Sequence, residues 1–303
     1  MSASPKDLTH SFCATAMMEK DVSEETLEID RLKNWVGNSR TVREMIALPT
    51  VKRIRDFYNL GPEVAEGDAL NALWHWFFFN PSVPSARIGP DGHPARGDFL
   101  PPLALPRRMW GGSRLTFHRP LVAGRVAEKA SSILSIDLKE GRTGPLGIVR
   151  VAHDIVQEGA LCLQEEQDIV YREAATGTST QASGPACPED AQYREVITPD
   201  PVMLFRFSAL TYNAHRIHYD RDYATRIEGY GGLVVHGPLT ASLLAGFAVK
   251  IAQKPLKTFA FKGLSPLLDD GAFTLEAKET DNGLDLWVRQ PAGGQAMQAK
   301  ATF

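Results

Sequence analysis

What this sequence has little of narrows its possible roles first. It holds only three cysteines, Cys13, Cys162 and Cys187, far apart and odd in number. That excludes a disulfide framework and a cysteine-built zinc site, and it suits a reducing compartment. Neither sign of charge dominates: the formal net charge is −3. The basic residues are scattered rather than gathered into runs, which argues against a dedicated nucleic-acid surface. No apolar run approaches the roughly 20 residues needed to cross a bilayer. The longest candidate, LLAGFAVKIA from Leu243 to Ala252, is broken by Lys250 and reads as a buried helix. The opening MSASPKDLTHSFCATAMMEKD has no basic stretch followed by an apolar core, so no secretory signal is expected and the cytoplasm is the expected location.

What is present is an ordinary globular composition, 303 residues with 43% hydrophobic and 23% charged, enough for two medium domains. Residues 174–190, AATGTSTQASGPACPED, are small and polar with Gly and Pro, the composition of a linker. They divide the chain into units 20–173 and 191–303. The two units close alike, each with an aromatic residue, a Pro-Leu pair, a glycine (Gly124 or Gly271) and three stretches of alternating apolar and polar residues. Val149, Val151, Ile155, Leu161 and Leu163 carry the alternation in one unit, and Phe273, Leu275, Leu284, Leu286 and Val288 in the other. The pattern predicts an internal repeat built on a curved antiparallel sheet, an α+β fold.

Helical material precedes the strands in both units. Pro238 stands at a helix start, and Leu239, Leu243, Leu244, Phe247 and Ile251 follow at helical spacing, a pattern of nearly all-round burial. In the first unit Pro49 and Thr50 open a segment with Val51, Ile54 and Tyr58 on one face, closed by Gly61 and Pro62. The simplest architecture is a long helix wrapped by an antiparallel sheet, made twice. Between these pieces lies WHWFFFNPSVPSARIGPDGHPARGDFLPPLALPRRMWGG, aromatic and then rich in Gly and Pro. It reads as irregular core filling, with pocket lining as the alternative.

The chemistry concentrates in YNAHRIHYD, Tyr212 to Asp220, and GLVVHGPL, Gly232 to Leu239. His215, His218 and Asp220 resemble half a metal site, but no further ligands follow at a metal-binding spacing, so no metal is expected. His10, His75, His93, His118 and His153 read as packing histidines. Gly237, at the start of a buried helix, offers backbone N–H groups at the positive end of the helix dipole and lets a substrate carbonyl approach closely. Such a place stabilises an oxygen that becomes negative, such as the enolate of a thioester. A histidine nearby would move a proton to or from water.

At these residues the chain resembles the MaoC-like and FAS1-like dehydratases with a double hotdog fold, on the side of the itaconyl-CoA and mesaconyl-C4-CoA (3-methylfumaryl-CoA) hydratases. The segments that carry it are LWHWFFFNP, GPDGHPARGDFLPPLALPRRMWGGSRLTFHRPL, FRFSALTYNAHRIHYDRDYA and EGYGGLVVHGPLTASLLA, and they span nearly the whole chain. The resemblance implies two hotdog units packed as a pseudo-dimer, with the site carried by the second unit and the first shaping the acyl pocket. It places His218 at the family's catalytic histidine and Asp220 at its later acid. Asn213 stands where the wider group has an aspartate, and an amide is no general base. Asn213 is therefore left to hold water or orient the imidazole.

The implied reaction is reversible hydration of an α,β-unsaturated acyl-CoA. His218 serves as base, Gly237 N–H as oxyanion donor, and Tyr212, His215, Arg216 and His236 as substrate contacts. The acyl group is a branched C5 dicarboxylate, with Arg216, Arg107 and Arg108 as candidates for its carboxylate, and no cofactor is expected. The rivals are a 3-hydroxyacyl-thioester dehydratase of fatty acid synthesis and an inactive acyl-CoA-binding protein. A hotdog thioesterase fits less well, because it would need a carboxylate where Asn213 stands. Pairing of chains into a homo-oligomer is compatible with exposed sheets.

Overall fold

The computed structural model describes residues 31–61, 63–141, 144–173 and 184–303. Cys13, Pro62, the start of the first unit at 20 and the first ten linker residues lie outside the described residues. Ten antiparallel strands form one continuous sheet in the order β1-β3-β4-β5-β2-β7-β10-β9-β8-β6. The first half supplies β1 (Ser39–Met45), β2 (Arg107–Phe117), β3 (Val126–Gly141), β4 (Gly144–Gln157) and β5 (Ala160–Arg172). The second supplies β6 (Tyr193–Ile197), β7 (Thr258–Gly263), β8 (Phe273–Thr280), β9 (Gly283–Arg289) and β10 (Gln295–Thr302).

Read from either edge toward the centre, each half runs first, third, fourth, fifth, second strand. The repeat legible in the sequence is therefore a repeat of topology: β3–β4–β5 and β8–β9–β10 are the two three-strand meanders that follow Gly124 and Gly271. The halves join where β2 pairs with β7, Gly112 opposite Lys262 through Thr116 opposite Thr258. A Cβ on Gly112 would overlap the Phe261 carbonyl, so this seam depends on a glycine with no side chain to interfere.

The helices differ between halves. In the second, α3 (Gly237–Ala252) lies on the sheet with Leu239, Ala241, Leu244, Ala245, Phe247 and Ala248 buried, against β7, β8, β9 and β10. In the first, α1 (Leu48–Phe57) has only 10 residues, buries Val51 and Ile54, and leans on α2 (Pro201–Leu210). The expectation of a long helix wrapped by each sheet is thus met once; Gly61 ends the left-handed turn after α1. The aromatic run supplies Trp74, Phe77, Phe78 and Phe79 to the core beside α1. The end of the expected linker also packs: Ala186 bridges to Gly294, Gln295 N–H bonds to Pro185 O at 2.8 Å, and Cys187 is buried. A Cβ on Gly184 would overlap the Gln295 carbonyl, a close fit that the small residues permit and that composition alone does not distinguish from flexibility.

Candidate active site

The site segment is held from both sides. Asp200 caps α2 by accepting from Met203 N–H at 2.8 Å. At the other end of α2, Tyr212 takes a left-handed φ of 52° and Asn213 N–H reaches back to Ser208 O at 2.9 Å. Asn213 Oδ1 accepts the His215 N–H at 3.0 Å, an Asx turn that fixes the start of a short 3₁₀ turn over Arg216–His218. From the first half the loop Gly89–Pro94 docks onto this segment, with Arg216 N–H bonding to Asp91 O at 2.9 Å. Gly92, at φ 90°, comes so close that a Cβ would overlap the Ala214 carbonyl.

These contacts assemble a row of four histidines. The ring centroids of His93 and His215 are 4.0 Å apart, those of His215 and His218 5.4 Å, and those of His218 and His236 3.6 Å in a stack. His218 is 7% exposed, and its Nδ1 lies 2.7 Å from Val234 O. A carbonyl only accepts, so Nδ1 carries the proton and Nε2 keeps its lone pair. Burial lowers the His218 pKa to about 4, with the Val234 hydrogen bond opposing and His93 adding to the effect. His218 is therefore a neutral base at physiological pH.

His93 is arranged similarly. Its Nδ1 donates to Asp91 Oδ2 at 2.9 Å, and Asp91 Oδ1 accepts the His93 N–H at 2.9 Å. Burial alone would raise the Asp91 pKa, but the hydrogen bonds from His93 outweigh it and hold the carboxyl ionised. Burial and then the Asp91 bond act in opposite senses on His93, whose pKa is lowered. Reading His93 as a packing histidine is corrected here: it belongs to the site, delivered by a turn of the other half. The signal was present in GPDGHP, where an Asp two residues before a His sits within a Gly-Pro turn.

His218, Asn213, His215 and Gly237 line one cavity of about 630 Å³ together with Asp91 and His93. At Gly237, where α3 starts, an added Cβ would meet nothing within 4 Å, and the N–H groups of the first helical turn have no partner within the helix. Other expected contacts fall elsewhere. Tyr212 is 71% exposed and off the cavity wall, pushed out by its left-handed backbone. Arg216 binds Asp220 Oδ2 at 2.7 Å and covers the Tyr223 ring, so its charge is spent away from the cavity. His236 is fully buried behind His218 with Nε2 2.8 Å from Ser208 Oγ; it backs the His218 ring and does not line the cavity. Arg107 and Arg108 both line the cavity, Arg107 with its charge paired to Glu228 at 2.9 Å.

His75 and His153, also read as packing, are buried in the first half, where His75 pairs with Glu165. Among the described residues one donor set, Asp91, His93 and His215, has its ligand atoms all within 4.8 Å and can hold a metal ion. The Asp91–His93 bond already satisfies two of those groups without one.

A sequence profile of the hydroxyacyl-thioester dehydratase type 2 family matches residues 73–269. The chain is 43% identical over 268 residues, 88% of its length and 95% of the relative's, to a mesaconyl-C(4)-CoA hydratase of Chloroflexus aurantiacus. It is 31% identical over 252 residues, 73% of its length and 80% of the relative's, to a mitochondrial hydroxyacyl-thioester dehydratase type 2 of Schizosaccharomyces pombe. Among solved structures it matches a Mycobacterium tuberculosis protein described as having a double hotdog fold, with a TM-score of 0.53 at 12% identity over 88% of this chain and 95% of that one. The two five-stranded halves are the two hotdog units.

Proposed function

Since the chain belongs to the hydroxyacyl-thioester dehydratase type 2 family, we propose that it is a hydro-lyase adding water across the double bond of an α,β-unsaturated acyl-CoA. The substrate is mesaconyl-C4-CoA, or itaconyl-CoA after its methylene double bond has shifted into conjugation by loss of an α-proton to His218 and its return to the methylene carbon, and the product is a citramalyl-CoA. The observation that carries this reading is the placing of His218, its Nε2 free for a proton, and the open N-terminus of α3 at Gly237 on one cavity wall. His218 Nε2 takes a proton from water as the oxygen bonds to the β-carbon. The electron pair of the double bond moves onto the thioester oxygen, held by Gly237 N–H. The enolate then collapses and the α-carbon takes the proton from the His218 imidazolium, so one water is added in balance.

His93 Nε2, with Nδ1 committed to Asp91, is a second acceptor that orients the same water. It supplies the carboxylate–histidine pair that Asn213 cannot form with His218. Asn213 shapes the turn that presents both His215 and His218. The proposed step uses no cofactor. The family and the fission yeast relative favour a second reading, dehydration of a 3-hydroxyacyl thioester, which is the same step run backwards on a longer chain. The free, buried Cys162 and Cys187 fit a reducing compartment such as the cytoplasm, and no helix among the described residues is long and apolar enough to cross a membrane.

The test is mass-spectrometric. Purified protein is incubated separately with mesaconyl-C4-CoA, itaconyl-CoA and crotonyl-CoA, and addition of one water is followed. Faster hydration of a branched dicarboxyl substrate than of crotonyl-CoA is expected. Crotonyl-CoA hydrated best would move the assignment to the fatty-acyl dehydratase, and binding without any product would mark an inactive acyl-CoA-binding protein.

A further inference from the structure

Where the first half, among the described residues, has no long helix on its sheet, the inward strand face carries a polar row. Arg40 on β1 stands opposite Ser131 on β3, Ser131 opposite His153 on β4, and His153 opposite Glu165 on β5. Opposed residues of neighbouring strands share a face. Lys129, two residues before Ser131, shares it too. Flanking positions on this face, Val151, Ile155 and Leu115, are buried and apolar, so the row is an interruption of a hydrophobic surface.

Donors and acceptors in this row do not balance. Glu165 is filled by His75 Nε2 at 2.9 Å, Trp76 Nε1 at 3.0 Å and Gln167 Nε2 at 3.1 Å. His153 Nδ1 meets Ser131 Oγ at 2.8 Å, and Glu44 accepts the Phe79 N–H. Left over are two cations. Arg40 Nε is buried with no hydrogen-bond partner, and its guanidinium lies over the Phe99 ring with Asp98 as the nearby opposing charge. Lys129 Nζ lies 5.5 Å from the Phe79 ring centroid and has no ion pair or hydrogen bond among the described residues. Burial lowers its pKa to about 8, with Glu165 opposing and Arg40 reinforcing. An unpaired buried donor such as Arg40 Nε is costly unless a ligand supplies the acceptor.

Arg40, Lys129 and His153 line the same cavity as His218 and Gly237. Resting on the proposed hydratase reading, we infer that Arg40 and Lys129 form a carboxylate subsite in the first half, which binds the free carboxylate at the far end of a dicarboxyl acyl group. The subsite sets specificity in two ways. It rewards a second carboxylate with charge-assisted hydrogen bonds, and it penalises a longer alkyl tail, which would cover the two cations without pairing them. It gives the first half a role in choosing the substrate, and it replaces Arg216 as the partner of the distal carboxylate.

The experiment measures kcat/KM for mesaconyl-C4-CoA and for crotonyl-CoA with wild type, Arg40→Met, Lys129→Met and Arg40→Lys. The ratio of the two values is expected to fall about 10- to 100-fold in each Met variant and to recover in part in Arg40→Lys. Lys129→Met breaks no hydrogen bond or close ion pair among the described residues, losing only the contact with the Phe79 ring and the longer-range attraction to Glu165, so its melting temperature is expected to stay near that of wild type, which keeps the test readable if Arg40→Met folds poorly. An unchanged ratio would overturn the subsite. So would an equal fall for both substrates, which would place the two cations against the CoA phosphates common to both. Wild type that hydrates crotonyl-CoA and leaves mesaconyl-C4-CoA untouched would instead overturn the proposed substrate, and the subsite with it.

Discussion

In the second half a 16-residue helix fills the concave face of the sheet, whereas in the first half the corresponding helix has 10 residues and leans across onto α2. The strand order is the same in both, so the difference lies in what covers the strands. Where the helix stays, the face is apolar and the helix start offers Gly237. Where it has withdrawn, the face carries Arg40, Lys129, His153 and Glu165, and the aromatic run closes one side. The repeated unit thus differs in its helix: one copy keeps a long helix whose start at Gly237 lines the cavity, and the other has a shorter one that leaves room on its sheet. The halves remain coupled, because Asp91 and His93 come from the first and are clamped onto the His215–His218 turn of the second.

The steepest way to break this division is His218→Ala, expected to lower kcat about 10²- to 10⁴-fold while circular dichroism and melting show the fold retained. Near-normal turnover would remove His218 as the base. Gly237→Val comes next. Its side chain meets open space in the cavity, so folding is expected to persist while the rate falls about 10²- to 10³-fold, read by steady-state kinetics. An unaffected rate would count against the α3 N-terminus as oxyanion donor.

Gly92→Ala acts on the clamp between halves. A left-handed φ and overlap with Ala214 O are expected to cost about 1–3 kcal/mol, seen in thermal unfolding, with a loss of rate as the Asp91–His93 turn shifts. Unchanged stability and rate would show that the clamp is not needed. The smallest effect is on pH dependence. His218 and His153 are both lowered to about 4 by burial, against about 6.5 unfolded. Above 6.5 both states are neutral; between 6.5 and 4 only the unfolded chain gains the proton, so stability falls as pH falls through that window. Melting temperatures are expected to drop from pH 7 to pH 4, and less steeply in His153→Gln.

The sequence showed the repeat because alternation and the Gly124 and Gly271 turns are local. It showed α3 because an apolar stripe follows Pro238. It singled out Gly237 from the helix start in VVHGPL and His218 from the resemblance carried by YNAHRIHYD, and the fold brings both to one cavity. It did not show His93, because the partner that gives His93 its place, the Ala214–Arg216 backbone, lies more than a hundred residues away. Arg216 read as a substrate contact for the opposite reason: it is near in sequence, but an Asp four residues on captures its charge. The polar row was illegible because Arg40, Ser131, His153 and Glu165 come from four strands and meet only through register.

The claim that the two halves act together on one water is tested most directly by a double-mutant cycle on hydration of mesaconyl-C4-CoA, with His218→Ala, His93→Gln and the pair. If both histidines serve the same step, each single change lowers the rate and the double variant is little worse than His218→Ala alone. A His93→Gln enzyme at full rate, or two losses that simply multiply, would contradict a site shared between the halves.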